Sequence, residues 1–146
     1  MLVNPRERLL YIIRMVSGAL TQEMERALRP VQLTQVQLGV LVLSGLDGPQ
    51  TAAELARRCG VTAQSMATAV KQLEDRGLVA RRPAMDRGRA LLIDVTDTGR
   101  DLAVEAQRLV EGVNAKALAL LQPGDADELH RLLTALATGL GYPAGR

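Results

Sequence analysis

The sequence predicts a mainly α-helical fold that contains one small β-hairpin. Most of the chain repeats apolar residues at the three-and-four spacing of helices, whereas residues 78–95 hold two short apolar segments around a polar, arginine-rich stretch. With 146 residues, 47% of them hydrophobic, the chain suffices for one core but not for two ordinary domains. We therefore expect a single domain over residues 1–146.

A long amphipathic helix is predicted over residues 9–28, ending before Pro30. Its main apolar stripe consists of Leu9, Ile13, Val16, Leu20, Met24 and Leu28. Leu10, Ile12 and Met15 lie off this stripe. Because the helix is apolar on more than one side, we expect a partner helix beyond the chain's own core.

Capping signals mark the next two helices. Thr34 and Gln37 have the spacing of a capping box before a second helix, which residues 47–49 (Asp-Gly-Pro) stop. A second box opens a short helix over residues 51–59, which Gly60 closes.

Thr62 caps a fourth predicted helix that continues to Arg76. Helical periodicity then gives way to the apolar segments 78–79 and 91–95, which indicate two strands. We expect a hairpin whose loop lies near residues 84–89.

Helical periodicity returns from residue 101 to about residue 121, and a box-like pair, Asp125 and Glu128, marks the start of a last helix. The stripe of that helix consists of Leu129, Leu132, Leu133, Leu136 and Leu140. The order of elements is that of a winged helix-turn-helix (residues 34–99) framed by N- and C-terminal helices.

Composition excludes several classes of function. One cysteine (Cys59) cannot form an intramolecular disulfide, and one histidine (His130) cannot build a His-rich metal site. No motif combines a nucleophile, a base and an orienting group, so we expect no enzyme and no cofactor. The longest nearly unbroken apolar run, residues 38–46, covers about half a membrane crossing, and the first residues lack signal-peptide order, which favours the cytoplasm.

The second helix of a helix-turn-helix presents a polar face to the DNA major groove. Met66, Val70 and Leu73 form the inward stripe of the predicted fourth helix. The candidate DNA-binding residues on its other faces are Thr62, Gln64, Ser65, Thr68, Lys71 and Gln72. Amides and hydroxyls bind base edges or phosphate, and lysine binds phosphate or guanine. The alternative is an ordinary solvated face.

The distribution of charge favours DNA binding over an ordinary solvated face. The whole chain carries only +2, but residues 57–89 hold eight basic and three acidic residues, whereas residues 101–146 hold four basic and six acidic ones. Positive charge thus collects at the helix-turn-helix and hairpin, as phosphate binding requires. The candidate wing residues are Arg81, Arg82, Asp86, Arg87 and Arg89. Arginine at a hairpin tip suits a narrow minor groove, and Asp86 can hold a neighbouring guanidinium; the alternative is a solvated turn.

These motifs together resemble the MarR family of bacterial transcriptional regulators. The segments that carry the resemblance are Leu33 to Gln37, Thr51 to Ala56, Gly60 to Thr62, Leu73 to Val79, Arg81-Arg82, Asp86-Arg87, and Thr96 with Gly99. The resemblance implies an obligate homodimer, with residues 1–30 and 101–146 as dimerisation helices and two winged domains on a palindromic duplex. It also implies a repressor released by a phenolic or other small ligand, or by thiol oxidation.

The wing departs from the family pattern. One residue more separates Asp86 from Thr96 than is usual in the family, and Gly88 looks like the insertion. Either Arg87 or Arg89 could therefore be the arginine that enters the minor groove.

The resemblance also bears on ligand and redox sensing. It places a ligand pocket near the first helix, where Tyr11 and Arg14 could hold an anionic aromatic ligand beside Met15; alternatively, Tyr11 packs and Arg14 is solvated. Thiol-sensing members carry their cysteine in the first helix, so Cys59 is interpreted as a small buried hydrophobe. The competing function is a winged dimerisation or protein-interaction module that binds no specific DNA.

Overall fold

A computed structural model describes residues 4, 8–86 and 88–142 of the chain. The helices are α1 (Leu9–Leu28), α2 (Gln35–Asp47), α3 (Ala52–Cys59), α4 (Ala63–Asp75), α5 (Asp97–Leu118) and α6 (Asp125–Gly139). The strands are β1 (Gln50–Thr51), β2 (Val79–Pro83) and β3 (Leu91–Val95), and a 3-10 turn, Arg29–Val31, joins α1 to α2. The predicted order of helices and hairpin is confirmed.

Three threonine caps set the starts of the helices that form the helix-turn-helix. The side chains of Thr34, Thr51 and Thr62 each accept a hydrogen bond from a backbone N–H in the first turn of α2, α3 and α4. Gly60 ends α3 in the left-handed region, with φ +66, which a side chain would strain. The chain can therefore turn tightly from α3 into α4.

The sheet has a strand that the sequence analysis missed. β1 pairs antiparallel with β3, which also pairs with β2, so the strand order is β1-β3-β2. β1 has only two residues and lies directly before the Thr51 cap of α3, which leaves no apolar alternation to detect.

Two helix starts differ from the prediction. α5 begins at Asp97, earlier than the predicted residue 101, because the Thr96 hydroxyl caps it by accepting the Gly99 N–H at 3.1 Å. The prediction that Asp125 and Glu128 form a capping box at the start of α6 is wrong. The N-cap is Gly124, which makes no side-chain hydrogen bond, and Glu128 pairs with Arg131 at 2.7 Å.

The core forms between α2, α3, α4, α5 and the sheet. Its fully buried large side chains include Leu28, Leu41, Leu55, Met66, Val70, Leu73 and Ile93. The inward stripe predicted for α4 is thereby confirmed. α4 is held with one face in the core and the other in solvent.

Gly99 lets α5 approach the wing closely. A Cβ on Gly99 would overlap the backbone oxygen of Leu78, which accepts a hydrogen bond from the Thr96 N–H at 3.1 Å. Only glycine fits this contact, which fixes β2 against the start of α5.

The terminal helices contribute little to this core. Leu28 is the only buried residue of α1, and none of the 15 residues of α6, a helix that the structure describes in full, is buried. Among the described residues, no helix combines the length and apolar character needed to cross a bilayer.

Candidate nucleic-acid interface

The outer face of α4 carries the polar residues that the sequence analysis selected. Burial of Met66, Val70 and Leu73 turns the opposite side of the helix to solvent. The exposed residues there are Gln64, Ser65, Thr68, Lys71 and Gln72, with Thr62 at the cap. We call this set the α4 face.

Hydrogen bonds within the α4 face are local. The Thr62 hydroxyl donates to Ser65 Oγ at 3.0 Å, the Thr68 hydroxyl donates to the Gln64 carbonyl at 3.1 Å, and Lys71 pairs with Asp75 at 3.1 Å. The exposed Lys71–Asp75 ion pair contributes about 0–1 kcal/mol, and each hydroxyl hydrogen bond about 0.5–1.5 kcal/mol. A ligand with strong acceptors can therefore displace them at small cost.

Gln72 has a longer-range partner, Gln37 on α2. Gln37 Nε2 donates to Gln72 Oε1 at 2.7 Å, and Gln37 is only 4% exposed. Sequence reasoning found Gln37 as part of a capping box but missed this contact, because its local spacing does not indicate how far the side chain reaches across to α4.

Two hollows flank Gln72 between the start of α2 and α4. One, of about 460 Å³, is lined by Thr34, Val36, Gln64, Ser65, Thr68, Ala69 and Gln72. The other, of about 400 Å³, is lined by Gln32, Thr34, Gln37, Gln72, Asp75 and Arg76. Residues of the α4 face thus form one side of an open groove, whose other side is the start of α2.

The wing is tied to α4 through its first strand. Arg81 on β2 donates to Glu74 of α4 at 3.1 Å, and Arg82 pairs with Asp94 on β3 at 2.7 Å. The first pair joins β2 to α4, and the second joins the two strands of the wing. Because they are surface pairs, DNA phosphates can compete for the arginines.

The tip of the wing is exposed. Asp86 and Arg89 both lie at the solvent-facing loop between β2 and β3. Arg87, the other candidate for the minor groove, lies outside the described residues.

Arg76 and Arg58, two further basic residues of the positively charged stretch, join helices of the core to neighbouring segments. Arg76 donates to the backbone oxygens of Gln32 at 2.6 Å and Val31 at 3.1 Å, which ties the end of α4 to the turn after α1. Arg58 donates to Gln50 at 2.7 Å and Asp47 at 2.6 Å. Counting charges in the sequence could not separate these two residues from the wing arginines.

The residues proposed for a ligand pocket lie on α1. The Arg14 guanidinium carbon is 5.8 Å from the centre of the Tyr11 ring, a cation–π distance. Met15 is 54% exposed, and neither hollow beside α4 includes any of the three residues.

Cys59 is half-buried at the end of α3. Burial raises the pKa of its thiol, and this effect exceeds the lowering by the neighbouring Arg58. His130 is exposed on α6. Within residues 4, 8–86 and 88–142, no three His, Cys, Asp or Glu side chains gather as a metal site would require.

Comparisons of the sequence and of the structure with known proteins point to the same family. The sequence model of the MarR family matches residues 31–90, from the turn after α1 to the end of the wing loop. The HTH-type transcriptional repressor Rv2887 of Mycobacterium tuberculosis is 35% identical over 128 residues, which cover 88% of this chain and 92% of the relative.

Solved structures share the fold. The crystal structure of the Mycobacterium tuberculosis protein Rv2887 in complex with salicylic acid is similar at a TM-score of 0.71 and 37% identity, over 88% of this chain and 96% of that one. The transcriptional repressor CouR bound to a 23-mer DNA duplex is similar at a TM-score of 0.83 and 26% identity, over 90% of this chain and 94% of that one.

Proposed function

The chain belongs to the MarR family, and we propose that it is a homodimeric, sequence-specific transcriptional repressor that a small aromatic ligand releases from duplex DNA. The α4 face is the observation that carries this proposal, because its exposed amides and hydroxyls line an open groove and the basic strand β2 is joined to the same helix through Arg81. The proposal contains no catalytic step and places the protein in the cytoplasm, with the DNA.

DNA binding divides between α4 and the wing. The α4 face has amides and hydroxyls that can recognise base edges in the major groove. Arg81 and Arg82 lie at the strand beside it, where they would neutralise phosphates, and Arg87 or Arg89 would enter the minor groove. The similarity to CouR bound to a DNA duplex supports this assignment.

Dimerisation would cover the apolar surface of the terminal helices. Leu10, Leu132 and Leu140 are 79%, 47% and 76% exposed in the single chain. Residues 1–30 and 101–146 would supply the interface, and the winged unit, residues 34–99, would bind one half of a palindromic operator. A two-fold dimer presents two α4 helices to half-sites about one helical turn apart.

The ligand class follows from the relative with salicylic acid. Salicylate is a phenol and a carboxylate on one ring, and the relative that binds it is 37% identical to this chain. Tyr11 and Arg14 could bind such a ligand through a hydroxyl and a guanidinium, beside the apolar Met15.

A gel-shift titration tests the proposal. The probe is duplex DNA from just upstream of the protein's own gene, with an unrelated duplex as control, at two salt concentrations. We expect selective binding that weakens steeply with salt and is reversed by salicylate. Equal, weak retention of both duplexes would contradict the proposal.

The second candidate is a winged module that binds another protein and no specific DNA. The net charge of only +2 and the apolar terminal helices favour it. Such a module would show no salt-dependent retention by duplex DNA, so the same titration separates the two functions.

A further inference from the structure

We propose that Gln37 positions Gln72 so that the amide N–H groups of Gln72, and not its oxygen, point into the DNA groove. Gln37 itself is a buried residue of α2 and does not touch DNA in this arrangement. The DNA half of the inference rests on the proposed function, whereas the orientation of the Gln72 amide is a property of the free protein.

The start of α2 fixes the Gln37 amide. Gln37 Oε1 accepts the backbone N–H of Thr34 at 2.9 Å, while the Thr34 hydroxyl accepts the backbone N–H of Gln37 at 3.2 Å. If the amide turned over, Nε2 would face the Thr34 N–H, and two donors would oppose each other. Oε1 therefore stays on Thr34, and Nε2 is the end that points to α4.

The fixed Gln37 then determines the orientation of Gln72. Gln37 Nε2 donates to Gln72 Oε1 at 2.7 Å. If Gln72 turned over, two amide nitrogens would face each other, and the buried Gln37 donor would lose its partner. Gln72 Nε2, with its two N–H groups, is thus the end that remains on the exposed side.

The position of Gln72 allows its exposed N–H groups to reach DNA. Gln72 lines both hollows of the groove, and so does Thr34. Two N–H groups there bind a hydrogen-bond acceptor of the duplex, either a phosphate oxygen or an acceptor on a purine edge. An amide without Gln37 would present its oxygen part of the time, and an acceptor on the DNA would repel it.

A double-mutant cycle on DNA affinity tests the positioning. The probe is a duplex of about three helical turns recovered by the wild-type protein from a random-sequence library. We expect Gln72→Met and Gln37→Met each to weaken binding about fivefold, and the double variant to bind no more weakly than Gln72→Met alone. If Gln37→Met weakens binding equally with and without Gln72→Met, Gln37 acts through the fold alone and the proposal fails.

Glu54→Met is the matched control for the lost capping bond. It removes the acceptor of the Thr51 N–H, 2.8 Å away in the second capping box. We expect its effect on affinity to be the same with and without Gln72→Met, because the bonds of this second box run from Glu54 to Thr51, at the start of α3. Coupling as strong as that of Gln37→Met would overturn the proposal.

Gln37→Glu should reverse the orientation of the Gln72 side-chain amide. Both carboxylate oxygens are acceptors, so Gln72 would turn to donate its N–H groups inward and expose its oxygen. We expect this variant to bind DNA more weakly than Gln37→Met; equal or tighter binding would contradict the orientation. A loss that is even across sequences would identify phosphate as the acceptor, and relaxed preference at one position per half-site would identify a purine edge, both in support of positioning.

Side-chain amide NMR tests the orientation without DNA. In the free protein, the Gln37 NH₂ protons should exchange slowly with solvent and those of Gln72 rapidly, and Gln37→Glu should slow the exchange of Gln72. If the wild-type protein recovers no duplex, the proposed function fails while this measurement still decides the orientation. Rapid exchange at both residues would overturn it.

Discussion

Helices α4 and α6 are both amphipathic, yet only α4 completes its burial within the chain. α4 buries Met66, Ala69, Val70 and Leu73, and its exposed side is polar. α6 buries none of its residues, all of which the structure describes, and leaves Leu129, Leu132, Leu133 and Leu136 between 42% and 47% exposed, with Leu140 at its C-cap 76% exposed. The winged unit buries its apolar residues within one chain, whereas α6 leaves its leucine stripe exposed.

The difference in burial suits the two helices to different functions. A helix that will contact DNA must be rigid on one face and polar on the other, and α4 meets both conditions without a partner. A helix with an exposed leucine stripe lowers its free energy only when another apolar surface covers it, and burial of that stripe contributes about 25 cal/mol per Å². Four variants test this contrast, from the largest expected effect to the smallest.

Gly99→Ala should damage the winged core most. The added Cβ would overlap the Leu78 backbone oxygen, so α5 or the wing must shift, at a cost of about 3 kcal/mol. Chemical denaturation measures this cost. Gly112→Ala is the control in the same helix, because a Cβ there meets nothing within 4 Å; it should be neutral or stabilising by up to about 1 kcal/mol. Equal stability of the two variants would contradict the close approach.

Leu133→Asp with Leu136→Asp should break the terminal interface while leaving the winged core folded. Two carboxylates in an apolar dimer contact should raise the dissociation constant at least about a hundredfold. Analytical ultracentrifugation measures the dimer, and circular dichroism checks the fold. Thr138→Asp, on the opposite side of α6, is the matched control. An intact dimer in the double variant would show that α6 is not in the interface.

Arg87→Ala with Arg89→Ala should weaken DNA binding about tenfold or more without changing the dimer, because the wing tip lies outside the core. Gel-shift titration with each single variant then shows which arginine enters the minor groove. Unchanged affinity in the double variant would remove the wing tip from the DNA interface.

Cys59→Ala should have the smallest effect on the free energy of unfolding, and this effect should depend on pH. Burial raises the pKa of the folded thiol above its ordinary value, so the unfolded chain loses its proton first as pH rises. The stabilising effect of the neutral thiol is fully present below the ordinary pKa of a thiol and declines as pH rises above it. Denaturation of wild type and Cys59→Ala across pH 7 to pH 10 measures the difference. A thiol that reacts with iodoacetamide as fast in the folded as in the unfolded protein would contradict this burial.

The fold could be predicted from the sequence because its signals are local. Thr34, Thr51 and Thr62 cap helices wherever the rest of the chain lies, and the leucine and valine stripes depend only on helical spacing. The winged fold and the MarR family are confirmed. The assignments of DNA-binding and ligand-binding residues stay predictions.

The remaining features depend on contacts between distant segments. β1 exists because Gln50 lies opposite Ile93 on β3, and its two residues carry no pattern of their own. The pairing of Gln37 with Gln72 joins residues 35 positions apart, and Arg76 reaches the turn after α1. Asp125 and Glu128 have the spacing of a cap, but Gly124 takes the cap position and Glu128 pairs with Arg131.

Native mass spectrometry of the protein with an operator duplex tests the central claim most directly, because it counts chains and DNA together. Each chain has a mass of 15.7 kDa. If the terminal helices complete one another and the winged units bind DNA as a pair, the complex contains two chains on one duplex, and Leu133→Asp with Leu136→Asp abolishes it. One chain per duplex, or a complex that survives this double variant unchanged, would contradict the account.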